Sequence, residues 1–244
     1  MSTSISIELV PRDRETLLAQ AYIAAEYPQI SHLNIPDLLH RNGFMPLRSV
    51  EAIALVKANF GARFSYVPHV RAGERVFQHD VCGDDIALVV TGDKPFSCLE
   101  FARDVSAVER IRKLSQRMTV MAGLDPYRTS VLRELEYVVM KCSAGAKGFF
   151  TQPFFSLPNL RYWDSLLPKN MNVFYGISPV TTEASLKYWK EKNHAVFPIN
   201  FDLTLKGQVE LARRIIRFAR AKERSAYLMP IRTPLAEYLK LVFA

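Results

Sequence analysis

A single carboxylate interrupts the first apolar run of the chain. In Ile5-Ser-Ile-Glu-Leu-Val-Pro11, alternation sends Ile5, Ile7 and Leu9 to one face and Ser6 and Glu8 to the other. With the apolar face packed against helices, Glu8 looks into an interior where ionisation is costly, so its pKa should rise. That suits a general acid. An interior ion pair with Lys, Arg or His would satisfy the same position, and position alone leaves both readings open. Other apolar runs also end in polar or aromatic groups: Pro68-His69, Thr91-Gly92-Asp93 and Thr151-Gln152-Pro153-Phe154-Phe155. Taken singly, Gly92 reads as a turn residue, Asp93 as a helix N-cap and the two phenylalanines as core. Their convergence on one rim is what points to a site.

That convergence depends on the elements that carry these residues. Strand-like runs are expected at Ile5–Pro11, Ser31–Pro36, Arg63–Val70, Asp85–Thr91, Met118–Ala122, Gly148–Gln152, Asn172–Ile177 and Ser225–Ile231. Amphipathic stretches alternate with them, at Asp13–Tyr27, Ser49–Phe60, Cys98–Arg117, Ser130–Ala144, Leu157–Leu167, Thr182–Lys192, Leu205–Ala221 and Pro234–Phe243. Strand–helix alternation means parallel strands joined by crossover helices. Eight units of about 30 residues match a compact (β/α)8 barrel, with its active site at the C-terminal strand ends. A doubly wound open sheet is the runner-up, but no GxGxxG follows any strand. No linker divides residues 1–244, which are expected to form a single (β/α)8 barrel, a TIM barrel.

The 244 residues carry 32 Lys+Arg against 24 Asp+Glu, a net charge of +8. With 49% hydrophobic and 23% charged residues, the composition is that of a globular protein. Basic runs such as Glu109-Arg-Ile-Arg-Lys-Leu114 and Leu211-Ala-Arg-Arg-Ile-Ile-Arg217 read as solvated helix faces, so no nucleic-acid partner is expected. No apolar stretch approaches the ~18 residues of a membrane span, and Met1-Ser-Thr-Ser-Ile-Ser lacks the order of a signal peptide. Cys82, Cys98 and Cys142 cannot pair completely, which fits reduced thiols in a cytoplasmic location. Five scattered histidines show no ligand spacing, and no metal is expected.

Several of these motifs together resemble the methylenetetrahydrofolate reductase family. Ile7-Glu-Leu-Val-Pro-Arg12 looks like its first-strand motif, Asn34-Ile-Pro-Asp37 its second, Pro68-His69 its third and Thr91-Gly-Asp-Lys-Pro95 its fourth. Ala144-Gly-Ala-Lys-Gly-Phe-Phe-Thr-Gln152-Pro-Phe-Phe155 is similar to its most distinctive run, and Tyr175-Gly-Ile-Ser-Pro-Val180 to its seventh strand end. A weaker echo follows around Ala226–Tyr238. The resemblance implies an oxidoreductase of one-carbon metabolism and methionine biosynthesis, a flavoprotein using FAD. It would reduce 5,10-methylenetetrahydrofolate to 5-methyltetrahydrofolate with NADH or NADPH. On that resemblance Glu8 falls on the general acid that protonates N10, and Asp93 on the residue beside flavin and pterin. Asn34, Asp37, His69, Thr91, Gly92 and Lys141 fall on the cofactor-binding set. Gln152 falls on the pterin-binding amide. Phe155 and Trp189 fall among the substrate aromatics, with ordinary helix packing the other reading of Trp189. Arg232 falls on the group holding the folate carboxylate. A homo-oligomer is compatible with this assignment.

The chain also departs from the family pattern. Thr91-Gly92-Asp93 stands where many members have Arg-Gly-Asp, Pro36-Asp37 replaces a Thr-Tyr pair, and the βα unit at Arg71–Gly83 is short. Gly123–Tyr137 lacks the expected His, Asn and aromatic pattern for the ribose and adenine. The alternative is therefore a non-catalytic or flavin-independent folate-binding accessory barrel. A pterin-linked methyltransferase on the same barrel is a third reading.

Overall fold

Apolar runs of four to seven residues, too short for helices and rich in Ile, Val and Phe, become strands β1 (Ile5–Glu8), β2 (Ile30–Ile35), β3 (Ser65–Arg71), β4 (Ile86–Val90), β5 (Thr119–Leu124), β6 (Gly148–Pro153), β7 (Asn172–Ile177) and β8 (Ser225–Leu228). In the computed structural model, which describes residues 3–38, 45–72, 86–91 and 106–244, they pair in chain order, all parallel, into a closed barrel. The seam joins Ile5, Ser6 and Ile7 of β1 to Ala226, Tyr227 and Leu228 of β8. The fold is therefore a single (β/α)8 TIM barrel.

The helices are α1 (Arg14–Ala25), α2 (Ser49–Phe60), α3 (Ala107–Leu114), α4 (Val131–Ser143), α5 (Leu157–Leu166), α6 (Glu183–Asn193), α7 (Leu205–Ala221) and α8 (Leu235–Phe243). Most begin where a side-chain oxygen takes a free backbone N–H: Asp13, Ser106, Ser130, Ser156, Thr182 and Thr204 each cap one. The expected helix from Cys98 is described only over Ala107–Leu114; its first part lies outside the described residues.

Two core layers follow from strand alternation. Outward residues such as Ile5, Ile7, Leu33, Phe149, Tyr175 and Leu228 pack under the helices. Inside the barrel lie Val67, Leu88, Met121, Phe150, Phe174, Tyr227 and Met229. Phe150 stacks on Phe174 at 4.2 Å, with Tyr227 edge-on at 5.2 Å, so aromatic rings fill the barrel centre.

Several strand boundaries differ from expectation, β1 among them in ending at Glu8 rather than Pro11, and two differ for identifiable reasons. Residues 61–63 form a 3-10 turn, because the Arg63 guanidinium donates to the carbonyls of Ile30 and Tyr27, each at 3.0 Å. β8 stops at Leu228 rather than Ile231: Pro230 has no N–H to offer a ladder, and Arg232 turns into the left-handed region at φ 57°.

Gly176 is required by the close approach of β6 and β7. A Cβ there would stand 2.5 Å from the Thr151 carbonyl oxygen and 2.8 Å from backbone atoms of Gln152. The expected outcome for Gly176→Ala is a loss of ~1–3 kcal/mol in urea unfolding, as backbone cannot yield to the methyl without shifting the strand. Unchanged stability would contradict this packing.

Candidate functional site

β1 has only four residues, so its last, Glu8, already stands at the C-terminal mouth of the barrel. Its neighbours Ile7 and Leu9 are fully buried in the outer layer, which turns Glu8 inward. There the Tyr227 phenol of β8 donates a hydrogen bond to Glu8 Oε2. No ion pair to Glu8 occurs among the described residues, so the interior ion-pair alternative finds no partner there. Burial pushes the carboxyl from 4.5 up to about 7, partly offset by the phenol bond. Burial and the adjacent carboxylate hold the Tyr227 phenol well above its ordinary 10, so it remains a donor. Glu8 is not sealed: a cleft of about 50 Å³, lined also by Val10, Gln20, Ile231 and Thr233, reaches it from the loop after β8.

A second polar chain crosses β1 to β3. Asn34, 0% exposed, donates from Nδ2 to Ser6 Oγ and places Oδ1 3.2 Å from His69 Nε2. Because Oδ1 only accepts, His69 Nε2 must carry the proton, a tautomer inferred from the network. Burial lowers the His69 pKa to about 4, against the opposing pull of Asp37, so the ring is neutral and Nδ1 is an acceptor. Asp37 is occupied structurally: its Oδ1 accepts the Ser49 N–H at 3.2 Å, at the start of α2, and its backbone oxygen accepts Arg71 Nε at 3.0 Å.

The structure separates the remaining predicted residues. Thr91 is exposed immediately after β4, whereas Gly92 and Asp93 lie outside the described residues. Gln152 is half-buried near the end of β6, where the register with β7 is irregular, and its amide makes no hydrogen bond to any described residue. Arg232 is exposed on the loop beside the Glu8 cleft.

Three expectations need correction. Lys141 is spent within the protein: its buried ammonium, near the C-terminal end of β5, donates to the Gly123 carbonyl at 2.5 Å and faces Glu134 at 3.7 Å. Burial lowers its pKa to about 8 despite Glu134. Trp189 and Phe155, at 4% and 1% exposure, are packed together rather than presented to a ligand. Their rings lie 5.5 Å apart, and Phe197 stacks on Phe155 at 4.2 Å, so the segment after α6 covers both. Of the two readings of Trp189, substrate aromatic or ordinary helix packing, the packing one holds.

Tyr227 was not singled out from the sequence. The signal was its parity in Ser225-Ala-Tyr-Leu228, which matches Glu8 across the seam once closure is known.

No family model matches the chain, and no curated protein matches it. Solved structures do share the fold. A truncated 3-deoxy-D-arabino-heptulosonate 7-phosphate synthase from Thermotoga maritima superposes at TM-score 0.58 and 9% identity, covering 99% of this chain and 84% of that one. A dihydropteroate synthetase with Product1 gives 0.54 at 12% identity, covering 99% and 92%. Yersinia pestis DHPS with a pterine-sulfa conjugate gives 0.55 at 10% identity, covering 99% and 92%. Identities this low establish the barrel alone.

The raised Glu8 pKa makes a stability prediction. A carboxyl whose folded pKa lies above its unfolded one contributes stability below about pH 4.5 that is lost as pH rises through about 7. Glu8→Gln removes that loss, so from pH 4.5 to 7 the variant should gain on the wild type by an amount on the order of 3 kcal/mol, at ~1.4 kcal/mol per pH unit. Urea unfolding at pH 5 and pH 8 checks it; a difference independent of pH would contradict it.

Proposed function

We propose that the chain acts on 5,10-methylenetetrahydrofolate, reducing it to 5-methyltetrahydrofolate with NAD(P)H, and that Glu8 supplies the proton that opens the methylene bridge. One observation carries the reading: a carboxyl at the barrel mouth, reached by a cleft, that burial keeps protonatable near neutral pH. Hydride cannot usefully attack the closed bridge, so the reaction needs an acid with this property. Tyr227 donates to Oε2, which leaves Oε1 as the oxygen that carries the transferable proton. Gln152 stands near the end of β6, its amide donor and acceptor unspent among the described residues and suited to a heterocycle edge. That a barrel of this fold accommodates a pterin conjugate, as in Yersinia pestis DHPS, agrees with the assignment.

FAD enters this reading only through the sequence resemblance. Asn34, Asp37 and Lys141 are already engaged with protein partners, which leaves His69 and Thr91 as the described residues of that set with open capacity. The described residues do not form a flavin cradle. The departure of Gly123–Tyr137 from the family pattern motivates a second reading, a folate-binding barrel that works without flavin or without turnover.

Both readings are separated by incubating the purified chain anaerobically with NAD(P)H and 5,10-methylenetetrahydrofolate while its visible spectrum is recorded. Flavin absorbance with turnover supports the FAD form, colourless turnover the flavin-independent form, and folate binding without product the non-catalytic barrel. In an active chain, Glu8→Gln should lower folate reduction at least ~10²-fold, the scale of lost general-acid catalysis. Gln152→Ala should weaken folate use while sparing NAD(P)H oxidation by an artificial acceptor. A near wild-type rate for Glu8→Gln would contradict the proposal.

A further inference from the structure

Part of the basic run Leu211–Arg217 lines a cavity rather than open solvent. A groove of about 330 Å³ lies between α5 and α7, with Leu157 and Arg161 on one side and Arg214, Arg217 and Phe218 on the other. Helical spacing explains why these side chains meet. Leu157 and Arg161 stand four residues apart on α5, as Arg214 and Phe218 do on α7, so each helix turns an arginine and an apolar group to one face. Arg217, three residues from Arg214, shares that face. Leu157 is buried and Phe218 half-buried against the core, which makes the floor apolar, while the three arginines are exposed.

The protein does not balance the charge gathered there. Arg161 and Arg214 make no hydrogen bond or ion pair among the described residues. Arg217 pairs with Glu210 of its own helix at 3.0 Å, but both side chains are more than half exposed, and such a pair yields readily to a stronger acceptor. Lys222 adds a fourth cation, 5.8 Å from the Phe218 ring centroid. Arginines brought from two helices around one apolar floor repel one another, and an anion between them removes that cost. We propose that the α5–α7 groove binds a small phosphorylated molecule, its phosphate held by Arg161, Arg214 and Arg217 and its apolar body laid on Leu157 and Phe218. Several guanidinium forks can share the oxygens of one phosphate, whereas a planar carboxylate occupies a single fork. Size selects a small ligand: small-molecule pockets run from ~300 to ~1,000 Å³, while a protein partner needs ~800 Å² of contact on each side. The groove belongs to the helix layer rather than the mouth, so the assignment does not rest on the folate reading.

Calorimetric titration of the full-length chain with phenyl phosphate, inorganic phosphate and benzoate, at fixed ionic strength, tests the site. The expected result is saturable one-site binding of phenyl phosphate. Inorganic phosphate, which lacks the apolar body, and benzoate, which lacks the phosphate, should both bind more weakly. Arg161→Ala combined with Arg214→Ala should weaken phenyl phosphate at least ~tenfold, the scale of one lost charge-assisted hydrogen bond. Arg161→Gln with Arg214→Gln, which keeps the side-chain stems in place, should lose as much. Arg112→Ala with Lys113→Ala removes two exposed cations from α3 instead and should leave the affinity unchanged. Absence of saturable phenyl phosphate binding overturns the site, as does full affinity in the Arg161 and Arg214 variants. An equal loss in the α3 variant also overturns it, because the attraction would then be to net charge alone. Inorganic phosphate or benzoate binding as tightly as phenyl phosphate overturns the ligand class.

Discussion

The activity proposed for this protein depends on the closure of the barrel between β1 and β8. That seam pairs Ser6 with Tyr227 and brings the Tyr227 phenol onto the Glu8 carboxyl, two side chains 219 residues apart in sequence. Without closure Glu8 would be an ordinary strand-end carboxylate in water, with nothing to hold its proton near neutrality. With it, burial raises the pKa and the phenol moderates the rise while fixing one oxygen. The two effects oppose each other, and burial wins.

The rest of the mouth divides into groups that hold the barrel and groups left open. Asn34 ties β2 to β1 and β3 through Ser6 and His69, and Asp37 orients the start of α2. Lys141 and Glu134 form a buried pair behind β5, joined by Arg128 at 2.5 Å from Glu134. Such a pair is retained because removing either member strands a buried charge, a stronger constraint than any net stabilisation it brings. By contrast the Gln152 amide makes no hydrogen bond to any described residue, and Glu8 faces a cleft. Satisfied groups that hold the scaffold, beside groups with open capacity, are what a binding site built on a stable scaffold requires.

Local pattern made much of this legible. Strand parity in Ile5–Leu9 was enough to turn Glu8 inward, because an apolar alternation of that kind packs in only one register. Helices Ser49–Phe60 and Leu205–Ala221 and strand Asn172–Ile177 form over the spans their patterns indicate. What sequence could not supply was the destination of long side chains. The family resemblance assigns Lys141 to a cofactor, yet its flexible stem carries the ammonium to the Gly123 carbonyl. The family resemblance places Trp189 among the substrate aromatics, yet Phe197 and Phe201 arrive from a later segment and close over its partner Phe155. Both outcomes depend on contacts between distant parts of the chain, which periodicity does not encode.

The protonation of Glu8 is the property on which the chemistry rests, and it can be observed directly in the ligand-free protein. An infrared difference titration of the carboxyl C=O band, identified by its disappearance in Glu8→Gln, reads that pKa without reference to substrate or turnover. The structure predicts a midpoint near pH 7, set by burial against the Tyr227 bond. A midpoint at the ordinary value of 4.5 would show a solvated carboxylate and contradict the account.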